Sequence, residues 1–103
     1  MADWKRVAAV SDIPEGAMKS FEIDQERIMV CRTAARFFVL ADECSHDSAP
    51  ISDGELRGEE VVCTRHGARF SLLDGSATAP PAVVGIDRYE HKIEDDYIYV
   101  LFE

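Results

Sequence analysis

Three cysteines and three histidines carry most of this chain's capacity for metal or redox chemistry, and four of these six fall into two matched pairs. Cys44-Ser45-His46 is followed after sixteen residues by Cys63-Thr64-Arg65-His66. Each half offers one thiolate and one imidazole, a donor set that Zn²⁺ accepts in a tetrahedral site. The pairing argues for a different centre. In a Cys₂His₂ finger the cysteines pair at one end and the histidines at the other, whereas here each close pair is mixed. Mixed pairs suit a binuclear cluster, with one thiolate from each half on one iron and one imidazole from each half on the other. Two loops would then clamp it from opposite sides.

The remaining two candidates have blander surroundings. Cys31 ends the apolar run Ile28-Met29-Val30-Cys31, where a small buried hydrophobe is expected rather than a reactive thiol. Three cysteines are too few, and too odd in number, for a disulfide framework; two liganding thiolates plus one spare thiol fit a reducing compartment. His91 lies in Tyr89-Glu90-His91-Lys92 without metal-binding company, so a strand surface is expected for it. The chain shows no glycine-rich phosphate loop and no catalytic constellation, and catalysis of its own is not expected.

Loops of this kind need strands to hold them. Short runs rich in Val, Ile, Phe and Tyr, broken by turn signals about every eight to twelve residues, predict an all-β chain. Residues 4–10, 17–23, 27–31 and 36–41 read as four consecutive antiparallel strands, with hairpins closed by Asp24-Gln25-Glu26 and Thr33-Ala34-Ala35. From 42 to 81 the pattern turns to Gly, Pro and Asp punctuation between short apolar pieces, a stretch that needs something bound to offset its ordering entropy. Strands resume at 85–93 and 97–102 around Glu94-Asp95-Asp96, a terminal hairpin. In the last strand apolar and aromatic residues fill both alternating sets, so both faces should be at least partly covered.

At 103 residues, 47% hydrophobic and 30% charged, the chain reads as one ordinary globular domain. Its formal charge of −9 opposes binding to nucleic acid or to an anionic membrane surface, and suits docking to a basic patch on another protein. The first ten residues, MADWKRVAAV, hold no apolar run long enough for a signal peptide or a spanning helix, so a cytoplasmic location is expected.

More than the ligand spacing is distinctive. After the first pair come Ala49-Pro50-Ile51-Ser52-Asp53-Gly54 and Leu56 to Gly58; after the second come Gly67-Ala68-Arg69-Phe70, Leu73-Asp74-Gly75 and Pro80-Pro81-Ala82. With these elements the chain, from about Ala41 onward, resembles the Rieske ferredoxin family. The resemblance implies a Rieske-type antiparallel β-sandwich with a loop-rich cluster-binding subdomain, about 42–81, inserted at one end of a single domain spanning 1–103. It implies one [2Fe-2S] cluster, held by Cys44, His46, Cys63 and His66, with Pro80-Pro81-Ala82 as the covering proline loop. Pro50, Ile51, Leu56, Phe70, Pro80 and Pro81 are the candidates for excluding water from it, and Gly67 for letting the backbone approach the sulfurs.

Neutral imidazoles in place of two thiolates raise the potential above that of an all-cysteine cluster, within a range of roughly −150 to +300 mV. In the family's respiratory and photosynthetic branch a Ser and a Tyr donate hydroxyls towards the cluster, and two further cysteines form a disulfide. Here the matching positions are Ala68, Phe70, Ala49 and Arg65, so the lower end of the range is expected. The likeness is to ferredoxin components of bacterial aromatic-ring-hydroxylating dioxygenase systems. These are cytoplasmic monomers passing single electrons from a flavin-dependent reductase to a terminal oxygenase. Alternatives are the small subunit of an NAD(P)H-dependent nitrite reductase and, further off, a zinc-binding interaction module.

Overall fold

A computed structural model describes residues 3–34, 36–45, 49–63 and 67–102. In chain order the strands are β1 (Asp3–Ala9), β2 (Met18–Ile23), β3 (Glu26–Arg32), β4 (Phe37–Ala41), β5 (Glu55–Arg57), β6 (Glu60–Val62), β7 (Arg69–Ser71), β8 (Ala77–Ala79), β9 (Arg88–Tyr89), β10 (His91–Glu94) and β11 (Tyr97–Phe102). They form three antiparallel sheets, ordered β1-β11-β10, β2-β3-β4-β9 and β5-β6-β7-β8. The expected all-β class is what the chain adopts, and among the described residues the only helical element is a single 3₁₀ turn, Val10–Asp12.

The middle sheet organises the rest. β3 and β4 are apolar at consecutive positions, and alternation sends neighbouring side chains to opposite faces. Ile28, Val30, Phe37 and Val39 face a core shared with Ala8, Ile98, Val100 and Phe102 of the β1-β11-β10 sheet. Met29, Cys31, Phe38 and Leu40 face a second core, shared with Val61 and Phe70 of the third sheet and with Cys44 and Cys63. One sheet therefore serves two sandwiches. The β2–β3 hairpin turns on Asp24 and Gln25, both at positive φ (51° and 70°), the paired left-handed geometry that matches strand twist. Asp95 and Asp96 repeat the device between β10 and β11.

Three expectations need correction. β1 is not the first of four consecutive antiparallel strands but pairs with β11, bringing Asp3 opposite Phe102. The eight residues between β1 and β2, with Asp12, Pro14 and Gly16, are too long for a tight hairpin, and their 3₁₀ turn hands the chain to the other sheet. The run 85–93 is two strands: β9 pairs with β4 and β10 with β11, so the chain changes sheets at Glu90. The punctuated stretch also carries a sheet of its own, four strands of three residues each. Pieces that short cannot display the alternation that reveals a strand.

Candidate metal centre

The two cysteines of the paired motifs stand where short loops leave the second core. Cys44 follows β4 by three residues and Cys63 directly follows β6; they are 1% and 0% exposed and belong to one apolar cluster with Ile51, Ala68, Phe70, Leu72, Ala82 and Ile86. Both loops close in the same way. The Cys44 N–H donates to the Ala49 carbonyl and the Cys63 N–H to the Ala68 carbonyl, each at 2.8 Å and each five residues on. In the second loop Gly67, at φ 77°, also donates to the Cys63 carbonyl at 2.9 Å, a left-handed position that suits glycine.

His46 and His66 lie outside the described residues, as do Thr64 and Arg65. The structure thus brings the two thiols into one core and does not describe the imidazoles. Among the described residues there is no disulfide, and no three possible metal ligands gather. Two cysteines on matched loops, shut into an apolar cluster, fit a centre held by thiolates.

Around the loops, backbones approach closely. A Cβ on Gly54 would meet the Val62 carbonyl oxygen at 1.9 Å, and one on Gly75, already at φ 81°, would meet that of Ile86 at 2.1 Å. These contacts hold the linker on β6 and the 74–75 turn on the segment leading to β9. Asp42, 1% exposed, binds the Ile51 and Ser52 amides and the Ser52 hydroxyl. Burial raises its pKa, but the hydrogen bonds from Ser52, Ser20 and Ile51 together outweigh it and leave the carboxyl below its ordinary 3.8. No reading of the sequence singled Asp42 out; in Ala-Asp-Glu-Cys it looks like any turn acid.

Of the residues expected to exclude water, Ile51 and Phe70 are fully buried, Pro50 is half-buried and Leu56 packs at the rim; Pro80 and Pro81, joined by a cis peptide bond, are exposed, and Ala82 and Ile86 beyond them are buried. Beyond them Val83 and Val84 are 87% and 64% exposed, and the Ser45 hydroxyl donates to the Val84 carbonyl, fastening this segment to the first loop. A cleft of about 240 Å³ beside Cys44 is rimmed by Glu43 and Asp87.

The other two candidates are placed as well. Cys31 is fully buried on β3, and burial, with the Asp42 charge second, pushes its thiol up to about 12, so it packs as an inert hydrophobe. His91 is half-buried on the edge strand β10, where it lines a cleft with Arg32 and Phe37. Burial, then the Arg88 charge, hold its pKa below 6.5.

Residues 3–90 match the Rieske [2Fe-2S] domain family. The chain is a Rieske protein. Its cofactor is therefore the family's [2Fe-2S] cluster. This Rieske chain is 36% identical over 98 residues to the ferredoxin component of biphenyl 2,3-dioxygenase from Rhodococcus jostii, covering 95% of this chain and 92% of that one. It superimposes on the ferredoxin of carbazole 1,9a-dioxygenase from Nocardioides aromaticivorans with a TM-score of 0.89 at 28% identity, covering 94% and 95% of the two chains. It also matches, at TM-score 0.87 and 28% identity over 94% of its length and 91% of the other's, a chain from a complex of reduced oxygenase and oxidised ferredoxin in carbazole 1,9a-dioxygenase.

Proposed function

We propose that this Rieske protein is a one-electron carrier of an aromatic-ring-hydroxylating oxygenase system, taking electrons from a flavin-dependent reductase and delivering them to a terminal oxygenase. The observation that carries this reading is the pair of buried cysteines, each heading a loop closed by the same amide-to-carbonyl bond. Like the ferredoxin components it is similar to, it is an electron-transfer component rather than a catalyst.

Cys44 and Cys63 are the thiolate ligands and His46 and His66 the imidazole ligands, all within an insert of about 42–81 in a single domain. When bound, a [2Fe-2S] cluster supplies a site that takes up and returns one electron. The chain's own residues set the conditions for that exchange. Ile51, Phe70, Leu72 and Ala82 keep water from the sulfur side. Ala68 and Phe70, both fully buried, offer no hydroxyl where a donor would favour the more negative reduced state, which places the potential near the lower end for such centres.

The partner meets the end of the molecule that carries the loops. Val83 and Val84 give it an apolar contact, held on the first loop by Ser45, and Glu43 and Asp87 give an acidic rim. The matching surface on the terminal oxygenase is an apolar patch edged by Lys or Arg. No helix of the described residues is long and apolar enough to cross a membrane; three unbridged cysteines suit a reducing, cytoplasmic compartment.

The test is direct. Aerobically purified protein should be red-brown and, once reduced, give a rhombic EPR signal. Mixed with a flavin-dependent reductase and a ring-hydroxylating oxygenase, it should restore product formation. Colourless protein without iron or acid-labile sulfide would refute the reading.

A further inference from the structure

Asp42 is the one buried charged side chain among the described residues. It leaves β4 two residues before Cys44, and its own N–H is anchored on the Arg27 carbonyl of β3 at 3.0 Å. One carboxylate oxygen accepts from the backbone N–H groups of Ile51 and Ser52 at 2.7 and 2.8 Å; the other accepts from the Ser52 hydroxyl at 2.7 Å. Ile51 and Ser52 belong to no strand, so no ladder satisfies their amides and this carboxylate does. With the Ser20 hydroxyl of β2, four donors meet this carboxylate, and the salt bridges of the described residues do not include it.

The consequence is topological. One side chain joins Asp42 to Ile51 and Ser52, and between them in sequence the Cys44 amide makes a second closure on Ala49. An apolar residue at 42 would suit a core position at less cost and would leave this neck open. Building on the ligand set proposed above, we infer that Asp42 is a positioning residue for the iron–sulfur centre: its carboxylate clasps the neck of the loop that presents Cys44.

Asparagine can keep both backbone bonds through its carbonyl while its amide donates to the Ser52 hydroxyl, so Asp42→Asn keeps the clasp and Asp42→Ala removes it. The cluster-loaded protein is measured by hydrogen exchange with mass spectrometry over 49–54, with β3 as internal standard, together with cluster lifetime from visible absorbance. Asp42→Ala should exchange at least tenfold faster over 49–54 with β3 unchanged, and should lose colour several-fold faster under a chelator. Asp42→Asn should exchange and hold its colour like wild type. Wild-type exchange and lifetime in Asp42→Ala, or Asp42→Asn behaving like Asp42→Ala, would overturn the clasp. If Asp42→Ala does not fold, Ser52→Ala carries the same exchange test with one donor removed. Absence of iron in the wild type would instead sink the proposed function, while exchange at 49–54 would still decide whether the neck is clasped.

Discussion

At the scale of single residues the expectations follow from donor type and burial. Cys63→Ser should abolish cluster assembly or nearly so, because a serine hydroxyl is a poor replacement for a thiolate on iron; retention of the wild-type visible spectrum would remove Cys63 from the ligand set. His66→Cys, where a cluster still assembles, should titrate at a lower potential, since a second negative ligand disfavours the added electron on that iron. His91 gives a pH dependence of known sign. Its folded pKa lies below 6.5, so as pH falls past that value the unfolded chain takes the proton first. Its contribution to stability is whole above about pH 6.5 and declines as pH drops towards the folded value. Urea melts at pH 5 and pH 7 should differ less in His91→Gln than in wild type.

At the scale of elements the tight backbone approaches are the sensitive points. Gly75→Ala combines a positive φ with a Cβ pressed on the Ile86 carbonyl, and should destabilise by roughly 1–3 kcal/mol in a denaturant titration. The element map also shows what a sequence discloses. β2, β3 and β4 lie within a residue or so of the expected runs, because long apolar stretches and a two-residue turn of Asp24 and Gln25 leave a plain pattern. The partner of β1 was not legible, since edge pairing across ninety residues leaves no local mark. Nor was the break at Glu90, where a single residue separates β9 from β10 without any glycine or proline. In the site, residue type and spacing singled out Cys44 and Cys63, which the fold brings into one core, while His46 and His66 lie outside the described residues. The matched closures of the cysteine loops run through main-chain groups that any residue supplies, and Asp42 became visible only once its burial was known.

At the scale of the whole molecule, net charge bears on encounter and the proposed docking end on the contact that follows. With a formal charge of −9, electron transfer to a basic-faced partner should slow as salt is raised from 20 mM to 0.5 M, because the Debye length shrinks from about 20 Å to about 4 Å. A rate indifferent to salt would make steering irrelevant. Val83→Asp should weaken transfer to the oxygenase while leaving the visible spectrum and the potential as they are, since the side chain is 87% exposed. The pairing of β1 with β11 places residues 3 and 102 opposite each other in the sheet that shares no core with the two cysteines. That seam is a natural graft point. A short bridge between those residues, with a new opening cut in the Asp95-Asp96 turn, should give a circularly permuted protein that keeps its colour.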